Sequence, residues 1–229
     1  MKARIENQKF AGALIQGVIR LLAVAIIGSQ FSCAPLSSDL QSARLVGKKR
    51  IEITPGYSTV QFAEEKKVDE KQSQETSGKL IGFQVAYGVS NKVDIRVRVE
   101  HFQFRDFSAQ VFSIGPKVSL VKDRVALYLP VWFVDFKPAQ LQPTILLTFP
   151  IIKNKIEFNP SVKSIVSVGG YDPTTGFMVA VNGGLGISTD LSKWAIRPEY
   201  SLVQDVSKGT QFRSFSIGLS MNLSLLSKR

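Results

Sequence analysis

The chain has 229 residues, one cysteine, one histidine, 44% hydrophobic and 21% charged residues, and a formal charge of +11. This length bounds the chain at one or two domains, and the composition excludes a disordered chain, an internal disulfide scaffold and a histidine-rich metal site. The basic residues are spread among acids rather than gathered on one stretch, which speaks against nucleic-acid binding.

Residues 1–9 are polar and basic, and Leu21 to Gly28 are apolar, with Gln16 and Arg20 interrupting the run upstream. The stretch is too short and too broken for a membrane-spanning helix and has the layout of an export signal. It ends in Ser29-Gln30-Phe31-Ser32-Cys33. A small residue before a cysteine at this place resembles the lipobox of bacterial lipoproteins. The resemblance implies that Cys33 is lipid-modified and becomes the mature N-terminus. Ser32-Cys33-Ala34 is also a small-x-small site for ordinary cleavage after Ala34, and either route takes the chain out of the cytoplasm. Residues 1–33 are therefore expected to be a signal peptide, residues 34–49 a polar N-terminal segment, residues 50–225 a barrel domain and residues 226–229 a tail.

From about Ile51 the chain alternates with period two, and ten strands are expected with no amphipathic helix. The clearest is the third, with Val93, Ile95, Val97 and Val99 on one face and Asp94, Arg96, Arg98 and Glu100 on the other. A helix would scatter those charges around its circumference. The second strand opposes Ile81, Phe83, Val85, Tyr87 and Val89 to small or polar residues, and the fourth opposes Phe112, Ile114, Val118 and Leu120 to Ser113, Gly115, Lys117 and Ser119. The last sets Phe215, Ile217, Leu219, Met221 and Leu223 against Ser, Gly and Asn. Further strands start near Ile51, Val125, Thr144, Ile156, Phe177 and Trp194. The fifth is the least regular, with Tyr128, Trp132 and Val134 opposite its apolar face.

Residues 90–92, 122–123, 153–155 and 189–193 read as short polar turns, and residues 63–78, 105–109, 137–142, 169–176 and 205–211 as mostly longer connections. Short and long connections alternate, as in an up-and-down meander with all short turns at one end. Segment 63–78 is charged and lacks aromatics, as a mobile loop does.

Two barrels fit this pattern. A soluble, lipocalin-like periplasmic barrel would turn its apolar face inward around an apolar ligand; a membrane barrel would turn it outward into lipid. The Gly-, Ser-, Ala- and Asn-rich polar face, the charge-free apolar face and the strand lengths favour lipid. Aromatics toward strand ends, namely Tyr57, Tyr87, Phe112, Phe158, Trp194 and Tyr200, are read as interfacial girdles. Over residues 50–225 the chain resembles small bacterial outer-membrane β-barrel proteins. The resemblance implies an all-β, antiparallel up-and-down transmembrane barrel of the outer membrane, with short periplasmic turns, longer outer loops, membrane lipid as partner and room for a surface or periplasmic protein partner.

With the apolar face outward, ten charges face the lumen. Glu52, Asp94, Glu100, Glu157 and Glu199 oppose Arg96, Arg98, Lys117, Lys163 and Arg197. A selective pore would carry a one-sided ring of charge; a balanced set is expected to pair across a narrow or occluded lumen. No catalytic constellation is expected. His101 follows Glu100, but adjacent strand residues point to opposite faces. The glycines of Asn182-Gly183-Gly184-Leu185-Gly186 read as small residues in a strand, since no helix or P-loop lysine follows. No cofactor or metal site is read, and Lys48-Lys49-Arg50 is expected to be solvated.

Overall fold

The structure, a computed structural model, describes residues 38–63, 77–104, 107–134, 137–168, 177–206 and 211–224. Cys33, the tail 226–229 and most of segment 63–78 lie outside them.

Thirteen strand segments form the ten staves of one barrel. The first four staves are β1 (Arg50–Ala63), β2 (Ser77–Gly88), β3 (Val93–Phe104) and β4 (Phe107–Val121). The fifth is β5 (Val125–Tyr128) with β6 (Val131–Val134), interrupted at Leu129-Pro130. The sixth is β7 (Lys137–Leu141), β8 (Thr144–Leu147) and β9 (Phe149–Ile152), interrupted at Gln142-Pro143 and at Thr148. Two of these breaks fall at prolines, which cannot donate to a ladder. The last four staves are β10 (Ile156–Ser167), β11 (Met178–Ile187), β12 (Trp194–Asp205) and β13 (Gln211–Ser224). Each stave pairs antiparallel with the next, and β1 pairs with β13 from Arg50 opposite Ser224 to Ala63 opposite Gln211. The ring is closed, so no strand edge is left with unpaired N–H and C=O groups.

Two of the expected longer connections are mostly strand. Residues 107–109 pair with β3, and residues 137–141 with β6 and β10. Ser108 and Gln110 look loop-like in the sequence because this end of the wall carries polar side chains on its outside.

Which face meets which solvent follows from exposure. On β3, Asp94, Arg96, Arg98 and Glu100 are buried while Val93, Ile95, Val97 and Val99 lie half-exposed on the other face. The outer belt continues around the ring with Ile81 63%, Val162 50% and Phe215 53% exposed. Each such side chain would forgo roughly 1.5–3 kcal/mol by facing water instead of an apolar medium. A closed barrel with an apolar outside and a polar inside is built to cross a bilayer. The soluble barrel with an inward apolar face has the opposite polarity.

At the end away from the short turns the polarity inverts. Lys79, Gln103, Gln204 and Arg213 point outward and are exposed, while Val60, Leu80, Phe102, Val111, Trp132 and Val134 pack together inside. The apolar belt stops below this level, and the wall above it stands in water. Of the aromatics expected near strand ends, Tyr87, Phe158 and Trp194 do lie toward the short-turn end. Tyr57, Phe112 and Tyr200 lie near the middle of their strands, within the belt.

Two short turns are tied together. Asp190 Oδ1 accepts hydrogen bonds from the Ser192 hydroxyl (2.6 Å), the Asn154 amide (2.8 Å) and the Ser192 backbone N–H (3.0 Å). These donors, the Ser192 hydroxyl foremost, hold the Asp190 carboxyl down at about 2. A depressed carboxylate stabilises the fold above its unfolded pKa, and that contribution is lost as pH falls through about 2. Ser192→Ala is expected to raise the Asp190 pKa toward the ordinary carboxylate range, read by carbonyl NMR titration. For the belt, Val97→Arg is expected to cost about 2–4 kcal/mol and Gln103→Arg about 0–1 kcal/mol, measured by urea titration of barrels folded into vesicles.

Candidate functional site

The lumen is occupied by the chain itself. Ser38 to Ser42 and Ala43 are buried, as is Val46, and all belong to the polar segment that precedes β1. Eight staves leave room only for their own side chains, and ten enclose more. The segment fills the difference, entering at the short-turn end beside Asp94 and running upward, against chain direction, to the level of Ser58 and Arg98.

Its backbone polar groups find partners on the wall. Glu199 accepts from two consecutive amides, Asp39 N (2.6 Å) and Leu40 N (3.0 Å). Lys117 Nζ donates to the carbonyls of Ser42 and Arg44, both at 2.6 Å. Thr148 Oγ1 accepts from Ala43 N at 2.8 Å, and Asp94 Oδ2 from Val46 N at 2.9 Å. Arg98 donates to the Ser38 carbonyl and, at 2.8 Å, to its hydroxyl. The same guanidinium pairs with Glu100 and lies 5.8 Å from the Trp132 ring.

Its two charged side chains are paired as well. Asp39 takes Lys163 Nζ (2.8 Å) on one oxygen and Ser161 Oγ and Asn182 Nδ2 (2.7 Å each) on the other. Arg44 Nε lies 2.8 Å from Glu157 Oε2, and Arg197 Nη1 reaches Oε1 of the same carboxylate at 3.2 Å. Asp39 and Arg44 add one charge of each sign to the inward set, and Asp205, buried on the same face of β12 as Arg197 and Glu199, adds one acid.

All ten charges singled out from the sequence lie on the buried face of the sheet or, for Glu52, at 12% side-chain exposure. Arg96 bridges Glu52 (3.1 Å) and Asp94 (3.4 Å). Charges are expected to pair across the lumen. The wall charges pair along the wall instead, Arg96 with Asp94 and Arg98 with Glu100 on one strand and Arg197 with Glu157 two staves apart, while Lys117 and Glu199 are satisfied by backbone dipoles of the segment. His101 faces outward and Glu100 inward, so the two form no acid–base pair.

The wall is shaped around the segment. Leu40, at φ +50°, places Cδ1 where a Cβ on Gly56 would come within 2.6 Å, so Gly56 is the cradle for this side chain. A Cβ on Gly186 would meet Glu157 Cγ at 2.7 Å, which explains a small residue in that glycine-rich strand. A cavity beside Leu40, lined in part by Thr54, Gln84 and Glu100, measures about 10 Å³, room for no more than a single water. Above the segment the inner face turns apolar, with one cluster around Phe102 and Trp132 and a second of Ile165, Met178, Ala180 and Val203. Among the described residues no group of His, Cys, Asp and Glu is arranged to hold a metal ion.

In the sequence residues 34–49 look like no more than a polar lead-in, and their place in the lumen is not expected from it. The available signal is the contrast within it: Ser38 to Ala43 are small, polar or apolar with a single charge, while the exposed cations begin at Lys48.

Removing Lys163 strands the Asp39 carboxylate in the lumen. Lys163→Met is expected to cost about 3–5 kcal/mol, and adding Asp39→Asn to recover much of that loss; denaturant midpoints by heat-modifiable gel migration check both.

No family model matches the chain, and no curated protein matches it by sequence. Solved structures are similar in fold. The translocator domain of the autotransporter NalP from Neisseria meningitidis aligns with TM-score 0.44 at 11% identity, over 94% of this chain and 97% of that one. The NanC porin aligns with TM-score 0.40 at 9% identity, over 76% and 100%. The N-terminal β-barrel domain of Pseudomonas aeruginosa OprF aligns with TM-score 0.35 at 12% identity, over 77% and 99%. The likeness is one of general barrel architecture and carries no residue role across to this chain.

Proposed function

We propose that this chain is an outer-membrane β-barrel kept closed by its own N-terminal segment, with a structural or interaction-bearing role and at most weak passive transport. The observation that carries the reading is the filling of the polar half of the lumen by Ser38–Val46, whose backbone and charges are met by six of the ten inward charges. The apolar belt of the closed ring supports the membrane assignment. In this reading residues 1–33 direct export, with Cys33 as the lipidation site or with cleavage after Ala34. The inward charges act as a clasp for the segment rather than as a selectivity ring. A protein partner would meet the barrel at its water-standing rim or its loops.

Conductance in planar bilayers tests the closure. The wild-type chain is expected to give no large, steady open steps. Asp39→Lys combined with Leu40→Lys sets a cation against Lys163 and another against the Gly56 cradle, and is expected to give steady open steps. Large, steady steps from the wild type would overturn the closed reading.

A further inference from the structure

Charge on the barrel is distributed unevenly. The lumen holds acids and bases in nearly equal number, but the short-turn rim is strongly basic. Lys48, Lys49 and Arg50 are exposed where the chain enters β1, and Lys92 sits in the turn between β2 and β3. Lys122 and Arg124 flank Asp123, Lys153 and Lys155 flank Asn154, and Lys193 lies beside Asp190. Nine exposed cations thus face two acids, spread over all four short turns and the entry of β1. One of these acids is committed to a pair, with Lys193 Nζ 3.4 Å from Asp190.

At two turns these cations join the apolar belt directly. Val121 is 53% exposed next to Lys122 and Ile152 is 48% exposed next to Lys153, while Ser90 and Asn91 separate Lys92 from Val89, 49% exposed. At the opposite rim, outward Lys79, Gln103 and Gln204 separate the belt from the loops. The hydrocarbon boundary therefore falls at the bases of the short turns. A lysine there lays its aliphatic stem along the belt and holds its ammonium at the depth of lipid phosphates.

We infer that the short-turn rim is a binding surface for the anionic phospholipid headgroups of the leaflet it faces. The cations recur at every second stave around the ring, and at Lys122 and Lys153 they adjoin exposed apolar side chains. An acidic protein would instead require a gathered polar patch. The inference rests on the reading of the chain as a membrane barrel.

The test uses the full chain reconstituted in phosphatidylcholine vesicles containing spin-labelled phosphatidylglycerol or spin-labelled phosphatidylcholine. The spectral fraction of lipid immobilised at the barrel is expected to favour phosphatidylglycerol at least about twofold, given the attraction of each surface cation for an anionic leaflet. This preference should vanish near 1 M salt, where the screening length is only about 3 Å. It should also vanish in the variant combining Lys122→Gln, Arg124→Gln, Lys153→Gln and Lys155→Gln, whose folding is checked by heat-modifiable migration. Lys79→Gln with Arg213→Gln, at the opposite rim, should leave it unchanged. Equal immobilisation of both lipids by the wild type overturns the inference, as does a preference that survives the quadruple variant or follows the opposite rim. If the short-turn variant misfolds, the salt titration of the wild type decides alone. An absence of immobilised lipid of either kind would overturn the membrane reading itself, and this inference with it.

Discussion

Charge pairing in a buried space governs the inside of this barrel. A buried ion without a partner costs several kcal/mol, so inward charges can be kept only if each meets an opposite charge or a hydrogen-bonding group. Ten staves hold such charges too far apart to pair all of them across an open lumen. The segment Ser38–Val46 brings the missing partners to them. It offers a carboxylate to Lys163, a guanidinium to Glu157, two carbonyls to Lys117 and two amides to Glu199. Of the ten, Lys117 and Glu199, which meet no opposite charge among the described residues, each grip two of its backbone groups, and Asp94 and Arg98 grip one each.

The same constraint orders the barrel along its axis. Charged and hydrogen-bonding residues line the half occupied by the segment, where backbone groups need partners. Beyond Ser38 no described chain lies alongside the wall, and there Phe102, Trp132, Ile165 and Val203 pack with their neighbours instead. The outside changes in step, from the belt to Lys79 and Gln103. The inner apolar layer thus lies where the wall stands in water and needs an ordinary hydrophobic core, and the inner charged layer lies where hydrocarbon surrounds the wall.

Period-two alternation made the ten staves, their order and their inward charges legible, because a strand assigns each residue to a face with no tertiary information. Asp94 to Glu100 is the plainest case. Alternation alone could not give the direction of each face, which follows from ring closure and is visible in the exposure of Ile81 and Phe215. It also misjudged residues 107–109 and 137–141, where a polar outer face in water reads like a loop. The occupied lumen was not legible, since an irregular segment has no period. Ser38–Val46 makes its hydrogen bonds to the wall with residues 20 to 160 positions away, such as Asp39 with Glu199.

The segment is joined to β1 through Gly47, Lys48 and Lys49 alone, with Gly47 at φ +91° turning the chain back into the wall and Lys49 N bonded to Gly88 O at 2.8 Å. So short a tether keeps the occupant at an effective concentration on the order of millimolar. A free solute at micromolar concentration competing for Glu199 or Lys163 meets a rival present at about a thousandfold excess. Modest intrinsic affinity is then enough to keep the lumen filled. The effective way to empty it is to pull on the segment rather than to compete with it.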